Sequence, residues 1–144
     1  MIRVRDALIA VAAALAGGGA VATVQAQPNL IGPAVYEWTK LTATRTDHGL
    51  HRQVMRGPTA TLSELEVHVT TLNPGLASHA PHTHENEELV IVREGTVEVL
   101  NDGAWKRLGP GSIIFNASNS PHALRNVGST PAVYDVVNWT PPKR

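Results

Sequence analysis

Residues 61–72 alternate apolar and polar side chains, with Leu65, Val67 and Val69 on one parity and Glu64, Glu66 and His68 on the other. A two-residue period predicts a strand with one buried face, here the face carrying the leucine and valines. Short apolar runs recur downstream at 89–92, 96–100, 105–108, 112–115, 123–127 and 133–139. Between them stand turn formers: Asn73-Pro74-Gly75, Glu94-Gly95, Asn101-Asp102-Gly103, Gly109-Pro110-Gly111 and Gly128-Ser129. Asn101-Asp102-Gly103 is the clearest hairpin signal, because Asp-Gly accepts the positive φ angles of a two-residue turn. Pro141-Pro142 stops the last run. Upstream, residues 41–56 are polar with isolated apolar positions and a turn around Asp47-His48, and Tyr36 and Trp38 fit an edge strand, an arm packed on a partner subunit or, as the favoured reading, a pair of aromatics covering the open side of the β-structure. About eight or nine short strands, with no convincing helix outside the first residues, predict an all-β sandwich or barrel. Periodicity alone does not choose between these.

Composition narrows the chemistry. The 144 residues carry 12 basic and 12 acidic side chains, scattered without a basic stripe or interleaved aromatics, so nothing marks a nucleic-acid partner. Cysteine is absent. Disulfides, thiolate zinc sites and cysteine nucleophiles are therefore excluded, and any metal must be held by nitrogen and oxygen.

Residues 1–26 read as a secretory signal: Arg3 and Arg5, an apolar stretch from 7 to 24, then Val24-Gln25-Ala26 as a small-residue cleavage site. A membrane anchor is the competing reading, since the apolar stretch is nearly long enough. Its richness in Ala and the Gly17-Gly18-Gly19 break favour cleavage, a periplasmic or secreted location, and no membrane partner thereafter. Residues 27–60 then form an N-terminal arm and first strands, and 61–140 the barrel. The mature chain would have about 118 residues, enough for one small core.

Candidate chemistry gathers between Gly75 and Gly95. His82, His84 and Glu88 share parity, so on an extended chain their side chains would point to one face. His122 is the best fourth member, since it opens an apolar segment that reads as a strand. Three neutral imidazoles and a carboxylate suit a divalent first-row metal with positions left open for water or substrate. Glu87 is a local rival to Glu88, disfavoured by parity. His79 could support the centre or shuttle a proton, His68 reads as structural, and His48, His51 and Arg52 read as surface residues before they read as substrate contacts. A zinc-protease helix fails because His84-Glu85 lacks the second histidine, and neither a G-x-S-x-G elbow nor a Gly-rich phosphate loop occurs. No site for an organic cofactor stands out.

The spacing resembles that of the cupin family. Gly75-x6-His82-x-His84-x3-Glu88-x6-Gly95 is similar to its first motif, and Gly111-x5-Ala117-x-Asn119-x2-His122-x3-Asn126 to its second. Ala117 replaces the family's proline and Asn119 its glycine. Asn tolerates a left-handed backbone best among non-glycine residues, so Asn119 is expected to hold the same turn. The resemblance covers residues 75–126 and implies a jelly-roll barrel (double-stranded β-helix), with His82, His84, Glu88 and His122 as ligands of Fe, Mn, Ni, Cu or Zn. Asn126 would order a strand end. It further implies a homodimer and a small-molecule ligand in the barrel. A quercetin-dioxygenase-like oxidoreductase, with Glu88 able to act as a base, is the favoured activity. A non-catalytic sugar, carboxylate or metal-binding module and an oxygen-independent isomerase or lyase acting on sugar derivatives are the alternatives.

Overall fold

The computed structural model describes residues 29–142, and the signal read at 1–26 lies outside them. A single turn of 3-10 helix, Trp38–Lys40, precedes nine strands. These are β1 (Thr44–Thr46), β2 (Gly49–Gly57), β3 (Glu64–Leu72), β4 (Glu87–Glu94), β5 (Val97–Asn101), β6 (Ala104–Leu108), β7 (Ile113–Asn116), β8 (Ala123–Asn126) and β9 (Ala132–Thr140). Six form one antiparallel sheet in the order β1-β2-β3-β9-β4-β7, and three form a second in the order β6-β5-β8. Residues 75–82 run antiparallel beside β8, joined through Ala77–Arg125 and His82–His122 bridges, and so act as an irregular fourth strand of the smaller sheet. The result is the all-β jelly-roll barrel expected from the motif spacing.

Local chemistry sets the turns. Asp102 and Gly103 have φ of 51° and 73°, the paired positive values of a tight hairpin between β5 and β6. Gly95 has φ of 81°, and a Cβ there would stand 2.7 Å from the Cα of Ala132, so only glycine fits between β4 and β9. Asn119 takes φ of 59°, the left-handed conformation expected of it. Asn126, 1% exposed, donates from Nδ2 to the carbonyls of Leu72 (2.9 Å) and Thr130 (2.8 Å) and accepts from the Gly128 amide, tying three chain segments together.

The inward face of the large sheet is graded in polarity. Cross-strand register aligns Leu72 with Ala132 at one end, then Thr70 with Tyr134 and Val92, then His68 with Val136, Val90 and Ile114, and last Glu66 with Asn138, Glu88 and Asn116. Leu72, Val92, Val97 and Ala132 are at most 1% exposed and hold the two sheets together. Burying each of the leucine and valine side chains contributes about 1.5–3 kcal/mol. The fully polar row lies at the opposite end of this gradient.

This register corrects the reading of β3. The barrel interior receives His68, Thr70 and Leu72, whereas Val67 and Val69 face outward into a groove lined also by Tyr36, Trp38 and Leu41. Apolar outward positions are protected by that arm, and polar inward positions are tolerated because they line a cavity. Tyr36 and Trp38 belong to no strand.

Candidate metal centre

Each histidine of the centre is placed by main-chain bonds. His82 and His122 exchange a reciprocal pair, N to O at 3.2 Å and 3.0 Å, so residues 40 positions apart are locked side by side. The Asn119 amide donates to the His84 carbonyl at 2.8 Å, coupling the left-handed turn to the next histidine. Shared parity on a continuous strand is not the cause, contrary to the sequence expectation. β4 begins only at Glu87, and a bend at Glu85–Asn86 separates His84 from Glu88. Asn86 and Ser120 supply the decisive carbonyls: the Nδ1 of His84 lies 2.8 Å from the Asn86 oxygen and that of His122 lies 2.9 Å from the Ser120 oxygen. A carbonyl can only accept, so both Nδ1 atoms carry the proton and both Nε2 lone pairs are free to point elsewhere.

They point at one another. One ligand atom each from His82, His84 and His122 lie within 4.8 Å of one another. Glu88 flanks the group, its Oε1 3.9 Å from the Nε2 of His122 and its Oε2 3.9 Å from the Nε2 of His84. The Nε2 of His122, a residue 3% exposed, is buried without a hydrogen-bond partner. An orphaned imidazole lone pair facing two other imidazoles and a carboxylate is costly unless a cation satisfies all four. Burial, then the charges of His79, His122 and His84, push His82 below the ordinary histidine pKa, toward the neutral form that ligates. The three histidines therefore form a cluster that fits a divalent metal, and Glu88 stands beside it.

Around the centre, some sequence expectations change. Glu87 faces the outside of the sheet, where its Oε2 accepts from the Trp139 indole at 2.9 Å. His79 packs edge-on against His82, ring centroids 4.0 Å apart. Arg52 stacks over Trp38 at 4.5 Å and does not line the cavity, whereas His48, His51 and His68, read as surface or structural, do. Asn116 was not singled out at all, yet it is 4% exposed and donates from Nδ2 to the Oε1 of Glu88 at 2.7 Å. Nothing in the local sequence marks it, because it reaches Glu88 across the β4–β7 register. The cavity is about 340 Å³, and Tyr134 on its wall has its phenol pushed up by burial to about 12, so it stays protonated.

A family model described as Cupin domain (Cupin_2) matches residues 68–138, the span holding all four metal-ligand candidates. The chain belongs to the cupin family. Among solved structures, this cupin is similar to KdgF from Halomonas sp. (TM-score 0.61, 20% identity, covering 77% of this chain and 96% of that one). It is also similar to an RmlC-like cupin from Shewanella frigidimarina (TM-score 0.63, 18% identity, 78% and 95% covered). A third is the polyketide cyclase RemF from Streptomyces resistomycificus (TM-score 0.59, 20% identity, 78% and 83% covered). At these identities the likeness shows the fold. No curated protein matches this chain.

Proposed function

We propose that this cupin is a metal-dependent enzyme acting on a small oxygen-bearing molecule inside the barrel. The observation carrying the reading is the partnerless Nε2 of His122 facing His82, His84 and Glu88. A bound divalent ion would supply Lewis-acid polarisation of substrate oxygens and, for a redox-active metal, a route to oxygen chemistry. The chain's own residues would do the rest. His84 and His122 are fixed in one tautomer by the Asn86 and Ser120 carbonyls, and Asn116 holds Glu88 by one oxygen. The other oxygen of Glu88 remains to accept a proton, which makes Glu88 the candidate base. The Tyr134 hydroxyl, kept protonated by its burial, offers a hydrogen bond from the wall.

The ligand set supports the dioxygenase-like form of this reading. The fold similarity to a polyketide cyclase, and to a protein described as a sugar phosphate isomerase from Silicibacter pomeroyi, supports an oxygen-independent form. Elemental analysis of protein purified without a chelating tag tests metal binding first. Oxygen uptake by the Fe- or Cu-loaded protein with phenolic or diketone substrates then supports the oxidoreductase, and turnover under anaerobic conditions supports the isomerase or lyase. Saturable ligand binding without turnover under either condition would leave a binding module.

Two further proposals complete the reading. Export to the periplasm or beyond rests on the residues at 1–26, and intact-mass measurement beginning at Gln27 is its test. A homodimer rests on the apolar outer face of the large sheet, where Ile113 and Phe115 are 65% and 49% exposed and Phe115 stacks with Trp139 at 6.3 Å. The arm bearing Tyr36 and Trp38 lies over another part of that face.

A further inference from the structure

All seven histidines of the chain line the one cavity. Three make the metal centre and His79 packs against His82. The remaining three, His48, His51 and His68, come from the β1–β2 hairpin and from β3. The rings of His51 and His68 lie 4.6 Å apart. Behind His68, the Oε1 of Glu66 stands 3.4 Å from its Nδ1, which is buried and has no better partner. A carboxylate at that distance favours the proton on Nδ1 and leaves Nε2 as an acceptor for whatever enters the cavity. Burial, then the neighbouring His51, push His68 below the ordinary histidine pKa, so the ring is neutral near pH 7.

This pair stands apart from the metal centre but shares its space, near enough for the Glu88 charge to act on His68. His68 sits two strands across and two residues along from Glu88 in the sheet register, which puts the two Cα atoms roughly 12 Å apart from strand spacing. Between them the wall is Val90 and Val136. A ligand reaching both ends must therefore have polar groups at its two ends, and a cavity of about 340 Å³ holds one molecule of monosaccharide size.

We infer that His68, oriented by Glu66, and His51 beside it form a second polar pole that binds hydroxyl groups at the far end of a small, unphosphorylated ligand. The ligand's near end, a carboxylate or hydroxy-carbonyl, lies at His82, His84 and His122; that part rests on the metal-dependent reading above. An imidazole ring such as that of His68 can both donate and accept, as hydroxyls do, whereas a second anionic group would call for a cation there. Neither Lys nor Arg lines the cavity among the described residues, and the Trp38–Lys40 turn, with no side-chain cap, offers no helix N-terminus to a phosphate.

The test uses the whole mature chain labelled at its histidines, with D-glucuronate as a probe carrying a carboxylate at one end and hydroxyls at the other. Glycolate serves as the short control and glucose 6-phosphate as the phosphorylated one. Ring signals of His51 and His68 are assigned with H51F and H68F, or with H51Q and H68Q where a phenylalanine variant does not fold. The expected result is that glucuronate moves both signals and glycolate does not. In calorimetry the His68 variant binds glucuronate about tenfold more weakly, with glycolate affinity and metal content unchanged. Unmoved His51 and His68 signals in both metal-free and metal-loaded protein overturn the inference, as does glucose 6-phosphate binding as tightly as glucuronate. Failure to bind metal, with the two signals still responding to glucuronate, removes the metal-dependent reading and leaves the second pole standing.

Discussion

The side-chain amide of Asn116 donates to the Glu88 carboxylate, Nδ2 to Oε1, at 2.7 Å, and Asn101 approaches the Asn116 oxygen in turn at 3.4 Å. A carboxylate held by one oxygen loses rotamer freedom and presents the other oxygen in a fixed direction. Asn116→Ala is expected to weaken metal binding about 10–100-fold while leaving the circular dichroism spectrum intact. Metal titration monitored by calorimetry checks this, and unchanged affinity would mean that Glu88 is positioned without Asn116.

His122 contributes a buried nitrogen with no protein hydrogen-bond partner, which a cation would satisfy. A metal at a hundred times its dissociation constant adds about 2.7 kcal/mol to stability, a rise in Tm on the order of ten degrees for a domain of this size. His122→Ala is expected to abolish that rise, read by thermal melts with and without Zn or Mn, and a chelator is expected to reverse it in the unmodified protein.

Asn119 stands where the family motif has glycine, and its amide anchors His84. Asn119→Gly should keep both metal affinity and Tm close to those of the parent. Asn119→Val, which forces a β-branched side chain to φ of 59°, should cost about 1–2 kcal/mol in denaturant melts and loosen the metal site with it.

The lowered pKa of His68 has a sign for stability. The unfolded chain, with histidine at its ordinary 6.5, binds a proton that the folded chain refuses until the pH is lower. The contribution is thus fully present above about pH 6.5 and is lost as the pH falls through that value toward the folded pKa. Part of the acid-side loss of Tm below pH 6.5 should vanish in His68→Gln, and a pH series of melts on the metal-free protein reads it.

On the outer face, Phe115 is half exposed and stacked on Trp139. Light scattering is expected to show a dimer for the parent and a monomer for Phe115→Glu, at equal metal content. A monomer for both would remove the dimer proposal without touching the cavity.

How much of this could be read from sequence depends on what kind of relation places each residue. Local turn chemistry was legible: Asp102-Gly103 and Asn119 adopt the positive φ their side chains allow. The three clustered histidines were legible through the spacing of the two motifs, with Glu88 beside them. The Glu66–His68 pair shares a parity on β3, but Asn116 beside Glu88 and His51 beside His68 were not legible, because each is delivered by register between different strands. A bulge between Gln53 and Met55 also shifts the phase of β2, so no count along the chain could have set His51 against His68. The inversion of β3 has the same root. A pattern of alternation gives two faces but not which one looks inward, and here the valine face is the outer one, covered by the arm.

The reciprocal main-chain bonds between His82 and His122 belong to the β-framework and involve no side chain. That side of the cradle is therefore held by the β-framework and not by an ion, so removing an ion is expected to leave it standing. Exchange of one divalent metal for another is then expected to need no refolding, so occupancy would follow the ions available to nitrogen and oxygen donors wherever the chain resides.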